Sequence, residues 1–293
     1  MKTAVIYNSK AGSMIYRIRK DFLKDIKDLM GENYIKADFF DIASKDTTNI
    51  VSSAASDGYD AVVVAGGDGT IRKISSYLLG SHSPLGIIPV GTYNNFAREN
   101  GIPLSLEESI KTISKNNIKE IRTGEVNEKI FLNNSTVGFY PKIIKSRNKI
   151  TSGRWASLIK AILLSFKKFP LLEVKIKSFG EQYIINVPFL FIGNSQNKID
   201  FFNFSEGNNR DGRFLDVYYP LNTGIFTICR FAFKVLIRNL RENRDYKVIS
   251  TDEFEITSGS KHVVVSLDGE IFHLSPPLRY KVHEQQLKII TKL

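Results

Sequence analysis

Asp60-Ala61-Val62-Val63-Val64-Ala65-Gly66-Gly67-Asp68-Gly69-Thr70 decides the fold of this chain. Five consecutive apolar residues, three of them β-branched, read as a strand buried on both faces. The strand runs straight into a glycine-rich turn, and Ile71 to Leu79 follows as a helix. Such a turn, between a buried strand and a helix, is where an open α/β sheet binds ligands. Glycines let the backbone approach a phosphate closely, and the free N–H groups of a helix start favour anions. Asp68 is the unusual member. A carboxylate among phosphate-binding amides repels the ligand unless a cation stands between them, which implies Mg²⁺ or a Mg-bound water. The plainer reading is a turn whose geometry needs three glycines; the strand before it and the helix after it favour the site.

Outward from this point the first third of the chain alternates strand and helix. Ala4-Val5-Ile6-Tyr7 is a short apolar run followed by the loop Asn8-Ser9-Lys10-Ala11-Gly12-Ser13. Ile15, Ile18, Phe22, Ile26 and Leu29 share one face of a helix expected over Ile15–Met30. Asp38–Ile42 reads as a second strand and Asn49–Ser56 as a second helix. Leu85–Val90 is a further strand, running into Gly91-Thr92-Tyr93-Asn94-Asn95-Phe96-Ala97-Arg98. This order predicts a doubly wound parallel sheet. The loops at Asn8, Gly66 and Gly91 then fall at the carboxyl ends of parallel strands, converging on one edge. Each alone is an ordinary turn sequence; together they define a nucleotide pocket.

After about Ile121 the texture becomes short β-rich runs: Ile130–Leu132, Glu173–Ile176, Tyr183–Ile192, Phe214–Tyr219, Phe254–Thr257 and Val263–Leu267. That pattern suits an antiparallel β-sandwich. Two helical segments interrupt it, Trp155–Phe169 and Ile225–Arg241. Two domains are expected, an α/β nucleotide-binding domain over residues 1–122 and a β-sandwich over 123–279, with the active site in a cleft between them. Leu287–Leu293 reads as a strand that either half can claim, so residues 280–293 are candidates to return to the first domain.

The 293 residues are 42% hydrophobic and 24% charged, with 12 Tyr and 20 Phe, as a globular chain with a substantial core requires. Lys and Arg outnumber Asp and Glu by 41 to 30, a formal net charge of +11. Such a surface attracts polyanions, although a basic excess also serves solubility. Cys229 is the single cysteine, so no intrachain disulfide forms, as in a reducing cytosol. The N-terminus reads as a strand and not as the apolar core of a signal peptide. No apolar run reaches the ~18–20 residues that span a bilayer. Arg230, Lys234, Arg238 and Arg241 form a basic stripe on the second helical segment, and Lys160, Lys167 and Lys168 mark the first. Basic amphipathic helices of this kind lie on anionic membranes, while a core-packed helix with a solvated face is the bland alternative.

The motif set as a whole resembles the soluble bacterial diacylglycerol kinase-like lipid kinases, which are related to sphingosine kinases. The resemblance rests on Asn8–Gly12, Gly66–Thr70 and Gly91–Arg98, then on Asn133-Asn134-Ser135-Thr136-Val137-Gly138-Phe139, Gly193-Asn194, Asp211–Val217 and Ser266-Leu267-Asp268-Gly269-Glu270. These run in order from residue 8 to residue 270. The resemblance implies ATP-dependent phosphorylation of a lipid hydroxyl, such as that of diacylglycerol, in the cytoplasm at the inner face of the membrane. It implies ATP contacts from Asn8, Ser9, Lys10, Ala11, Gly12, Gly66, Gly67, Asp68, Gly69, Thr70, Ile71, Arg72 and Thr92, with Asn95 beside them. Asp268 is then the general base with Glu270 close by. Asp211, with Asn208 and Arg213, then holds a structural Mg²⁺ whose water shell links to Asp68.

The chemistry points the same way. Phosphoryl transfer needs an alcohol placed in line with the γ-phosphate, a cation on the phosphates and a carboxylate to accept the proton. Asp268 lies on a glycine-containing turn after an apolar strand, although Asp-Gly alone is an ordinary hairpin turn. The chain departs from the family at Asn95, where an Asp is usual, at Ser9, where proline is usual, and at Arg210, where a second acid is often found. A catalytically weak or inactive kinase relic is one alternative. Another is an NAD kinase-like enzyme, whose expected Asn-Glu pair has a counterpart only at Asn127-Glu128, in hairpin context. Nucleic-acid binding is suggested by charge alone and ranks last, since no zinc-finger spacing or aromatic-rich RNA motif is present. The four histidines have no metal-ligand spacing. A homodimer is compatible with the sequence without being demanded by it.

Overall fold

The computed structural model describes residues 1–10, 20–43, 47–138, 171–178, 181–194, 212–221 and 246–292. Ala11, Gly12, Asn208, Asp211, Cys229 and the helical segments expected at 155–169 and 225–241 lie outside the described residues. The backbone divides into two compact units, Met1–Arg122 with Glu284–Leu293, and Thr123–His283.

The first unit is built on β1 (Lys2–Tyr7), β2 (Lys36–Asp41), β3 (Ala61–Gly66), β4 (Leu85–Pro89), β5 (Ile118–Ile121) and β18 (Leu287–Ile290). They form one sheet in the order β2-β1-β3-β4-β18-β5. The first five in this order run parallel, and β5 is antiparallel to β18. All six residues of β3 are buried, because both faces of the sheet are covered. On one face Val5, Val63 and Ile88 meet Ile26 and Met30 of α1 (Lys20–Glu32) and Ile110 and Ile113 of α5 (Leu106–Lys115). α2 (Thr47–Ser56) and α3 (Asp68–Leu78) pack on the other, burying Val51, Ile71, Ile74 and Leu78. The sheet is therefore doubly wound. β1 sits between β2 and β3, so the strand order reverses beside it, at the position where such sheets hold their ligands.

The second unit is an antiparallel sandwich. One sheet runs β10-β9-β14-β17-β6-β7 and the other β13-β12-β11-β8-β15-β16. In the first are β6 (Gly124–Val126), β7 (Lys129–Phe131), β9 (Leu172–Ser178), β10 (Glu181–Val187), β14 (Glu253–Thr257) and β17 (Leu278–Val282). In the second are β8 (Asn134–Gly138), β11 (Phe189–Asn194), β12 (Leu215–Pro220), β13 (Tyr246–Thr251), β15 (Val263–Leu267) and β16 (Glu270–Leu274). Alternate residues of both sheets meet in one core, with Val174, Ile256 and Leu278 facing Val137, Ile192, Val217 and Val265. Buried Tyr280 bonds Ser135 across it at 2.8 Å. Tyr280 also stacks on Phe254 with ring centroids 4.7 Å apart.

Three expectations need correction. Tyr183–Ile192 is not one strand: Pro188 lies between β10 and β11, and the chain passes there from one sheet to the other. α3 begins at Asp68 and not at Ile71, so Asp68, Gly69 and Thr70 form its first turn. The return to the first unit begins at Glu284 and not at residue 280, because Tyr280 and Lys281 pair with β6 and β14 within β17.

Candidate functional site

Parallel register sets the first unit's site. Tyr7 stands beside Ala65 and Gly66 beside Pro89, so the loops after β1, β3 and β4 leave one edge of the sheet together. Gly67 caps α3 with an extended backbone and no side-chain cap bond. The N–H of Ile71 already bonds Gly67 O at 3.0 Å, while helix geometry leaves the preceding turn's N–H groups without intrahelical partners. These groups and the helix dipole suit a phosphate. Gly66, Gly67 and Gly69 are not among the residues with positive φ, so the turn does not use them for left-handed backbone. What requires glycine is close approach. A Cβ on Gly91 would stand 2.6 Å from the Gly67 Cα.

Asp68 has a different circumstance from the one its charge suggested. Its carboxylate accepts the N–H of Asn95 at 3.1 Å and of Phe96 at 3.0 Å. Those are the first two residues of α4 (Asn95–Glu99). An acid at one strand-to-helix turn thus caps the helix that starts after the next strand. Asn94 completes the turn from a left-handed conformation. Its Oδ1 accepts the N–H of Gly91 at 2.8 Å and its amide donates to Gly91 O at 3.0 Å. Thr92 and Tyr93 are left exposed at the tip, with Tyr93 O accepting from Arg98 Nε at 3.2 Å.

Asn8 and Ser9 lie at the same edge, half-buried, with Lys10 exposed. The Lys10 N–H bonds Asn8 Oδ1 at 3.1 Å. Sequence reasoning missed the residue that fixes this loop, Asp41 at the end of β2. Its Oδ1 accepts the N–H of Ser9 at 3.1 Å and of Ala43 at 2.9 Å. Burial works to raise its pKa, but bonds from Ser9 and Ala43 and the nearby Lys10 charge outweigh it and hold the group below its ordinary value. The available signal was the parallel register that sets Asp41 beside Tyr7. Of the expected nucleotide contacts, Ile71 turns away: its side chain is fully buried under the sheet. Arg72 is half-buried on α3.

In the second unit, three distant motif segments meet at residues 132–134. The β15–β16 hairpin turns at Asp268 and Gly269, both with positive φ. The Asp268 carboxylate accepts the N–H groups of Leu132, Asn133 and Asn134. Asn194 holds the same strip by its carbonyls, its side-chain amide donating to Leu132 O at 3.1 Å. Glu270 is exposed at the start of β16. Arg213 is exposed just before β12, while 208 and 211 are not described. Among the described residues no group of three His, Cys, Asp or Glu side chains is placed to hold a metal. Asn127 and Glu128 form a left-handed hairpin turn between β6 and β7, away from any strand-to-helix junction.

Residues 2–126 match the family model for the diacylglycerol kinase catalytic domain. A probable lipid kinase YegS-like protein of Pseudomonas aeruginosa is 40% identical over 100 residues, 33% of each chain. A probable lipid kinase YegS of Salmonella newport is 38% identical over 103 residues, 33% of this chain and 34% of that one. These alignments thus span about a third of the curated relatives' length. A solved diacylglycerol kinase structure from Bacillus anthracis shares the fold, with a TM-score of 0.66 at 21% identity over 99% of this chain and 97% of that one. An NAD kinase from Archaeoglobus fulgidus in complex with ATP gives a TM-score of 0.50 at 12% identity, over 99% and 94%.

Proposed function

We propose, for a chain whose residues 2–126 belong to the diacylglycerol kinase catalytic domain family, that it transfers the γ-phosphate of ATP to a hydroxyl group of a lipid. The observation that carries this reading is the edge of the first sheet. There the glycine-capped helix start and the Gly91 loop are tied together by Asp68 and by the Gly67–Gly91 approach, and the Asn8 loop, fixed by Asp41, leaves the same edge of the sheet. In this reading Asn8–Lys10, Gly66–Thr70, Arg72 and Thr92 hold the nucleotide. The backbone N–H groups of the α3 start bind phosphate oxygens, and Lys10 and Arg72 supply positive charge.

Mg²⁺ belongs to the same reading, as counter-charge for the phosphates. The described residues do not assemble a site for it, and its candidate ligands Asn208 and Asp211 fall outside them. Asp268 and Glu270 are the candidate carboxylates for the proton of the alcohol. The lipid acceptor is met at a membrane surface, on the cytoplasmic side. No helix among the described residues is long and apolar enough to cross a bilayer. The net charge of +11 supports binding to anionic lipid. An NAD kinase reading is not favoured, since Asn127-Glu128 occupies a hairpin of the second unit.

The test is transfer from γ-labelled ATP to a panel of dispersed lipid alcohols: diacylglycerol, a sphingoid base, ceramide and phosphatidylglycerol. Label should appear in one lipid class and depend on that lipid. ATP binding with no label in any lipid would replace the kinase reading by the relic.

A further inference from the structure

Two helices start at the phosphate edge, and the C-terminal segment holds the far end of both. α3 begins at Asp68 and ends at Leu78. Two residues later the Gly80 N–H donates to Gln286 O at 3.0 Å, just ahead of β18. α4 begins at Asn95, under the Asp68 carboxylate, and its C-cap is Asn100. There the Thr291 hydroxyl donates to Asn100 O at 2.6 Å, from 191 residues further along the chain.

Thr291 is placed by β18. Ile289 and Ile290 pair with Lys119 and Ile118 of β5, and the Thr291 N–H extends that ladder to Asn117 O at 3.0 Å. Thr291 and Asn100 are 5% and 6% exposed, so their bond is made away from water. Asn100 passes the contact on. Its side-chain amide donates to Phe96 O at 3.0 Å, one helical turn back, and its own N–H to the same oxygen at 3.1 Å. Phe96 is fully buried, and its N–H is one of the two that Asp68 accepts. A continuous run of bonds thus leads from the last strand through Thr291, Asn100 and Phe96 to the first turn of α3.

α4 has five residues, too few for a helix that holds itself together. Its placement therefore comes from its ends. With the Asn100 end freed, it pivots on the Asp68 bonds and carries the turn at Gly91–Asn94 with it.

We infer that Thr291 is a positioning residue of the nucleotide site, completing an edge that residues 2–126, the span matching the family, do not complete alone. The inference rests on the reading of this edge as the ATP site. Thr291 acts through Asn100: it sets the tilt of α4, and with it the tip at Thr92 and the orientation of Asp68.

The test reads ATP Kd on the whole chain, well below the Tm of every variant, together with amide hydrogen exchange at Asn95 and Phe96. Thr291→Val removes the hydroxyl and keeps the shape. It should raise Kd by about 2–30-fold, the range over which packed networks couple distant groups, and quicken exchange at both amides. Thr291→Ser keeps the hydroxyl and should restore both readouts. Ile289→Val loosens the same strand at a fully buried position paired with Leu85 and Lys119. It should lower Tm and leave Kd parental. Parental Kd in Thr291→Val, even with a lowered Tm, overturns the inference. An equal rise in Ile289→Val overturns it too, since any loosening of β18 would then suffice. Should Thr291→Val fail to fold, Asn100→Ala cuts the same run one residue on, and a parental Kd there also overturns it. A parent that binds no ATP overturns the nucleotide reading itself, and exchange at Asn95 and Phe96 in Thr291→Val then decides whether Thr291 sets α4.

Discussion

Gly91→Ala tests whether the phosphate edge is built by contact between two loops. The new Cβ would stand 2.6 Å from the Gly67 Cα and 2.6 Å from Asn94 Oδ1. Carbon atoms pack at about 3.5–4.0 Å, so the loops must part by about 1 Å. Gly67 offers backbone and no side chain that could swing aside. Overpacking of this kind costs about 1–3 kcal/mol. Displacing Asn94 also weakens its 2.8 Å bond from the Gly91 N–H, worth about 1 kcal/mol. The sum is about 2–4 kcal/mol, which at about 2–4 °C per kcal/mol lowers Tm by about 5–15 °C. Thermal unfolding followed by far-UV circular dichroism reads this well, because the five described helices all belong to the first unit. Gly259→Ala is the control, since no atom lies within 4 Å of the added methyl. It should shift stability by less than about 0.5 kcal/mol. ATP affinity should fall in Gly91→Ala and not in the control. A Gly91→Ala protein that melts like the control and binds ATP like the parent would refute the argument.

Gly31→Ala lies in α1 with open space around it and should stabilise the chain by about 0.5–1 kcal/mol in urea titrations. Asp68→Asn retains one carboxylate-like oxygen but turns an amide donor towards α4, so stability should drop by about 1–3 kcal/mol and ATP binding with it. Asp41 is held below its ordinary value of 3.8, so its contribution is present above that value and is lost as pH falls through the lower folded-state pKa. The Tm difference between parent and Asp41→Asn should therefore be widest near neutrality and shrink below about pH 4. Burial pushes Tyr218, Tyr246 and Tyr280 above the ordinary tyrosine range, so the stability they contribute is whole below about pH 10 and falls as pH rises. Tyrosinate absorbance of these side chains should appear together with unfolding and not before it.

How much of this was legible in the sequence depended on how local the cause was. β3, its glycines and α3 are contiguous, and burial on both faces leaves an uninterrupted apolar run. The sandwich was legible as a class and less so strand by strand. β6 and β7 have three residues each, too few for a period-2 pattern, and Pro188 was needed to see that one apolar run serves two sheets. Among the candidate site residues, Asp68 and Asp268 were legible as acids beside glycine. Their partners were not, because they lie 27 residues away for Asn95 and 136 for Leu132. Asp41 was missed for the same reason: its meaning comes from lying beside the β1 loop in the sheet.

The two motif acids share a physical logic that charge alone obscures. Each is an aspartate beside glycine where phosphate chemistry is expected, one at a helix start and one at a hairpin turn, and each has its carboxylate oxygens bound to backbone N–H groups of a different segment. A carboxylate suits that task because it accepts several charge-assisted bonds at once, whereas a hydroxyl or amide accepts fewer. Loops carrying glycine and asparagine have little side-chain packing to hold them. An acid reaching across supplies directional bonds at low volume and leaves the tips at Thr92 and Glu270 exposed. The requirement is for an oxygen pair of fixed reach. Asp68→Glu and Asp268→Glu should therefore be as damaging to local amide protection as the corresponding Asn variants. Full protection with glutamate at either position would show that charge, and not reach, is what these loops need.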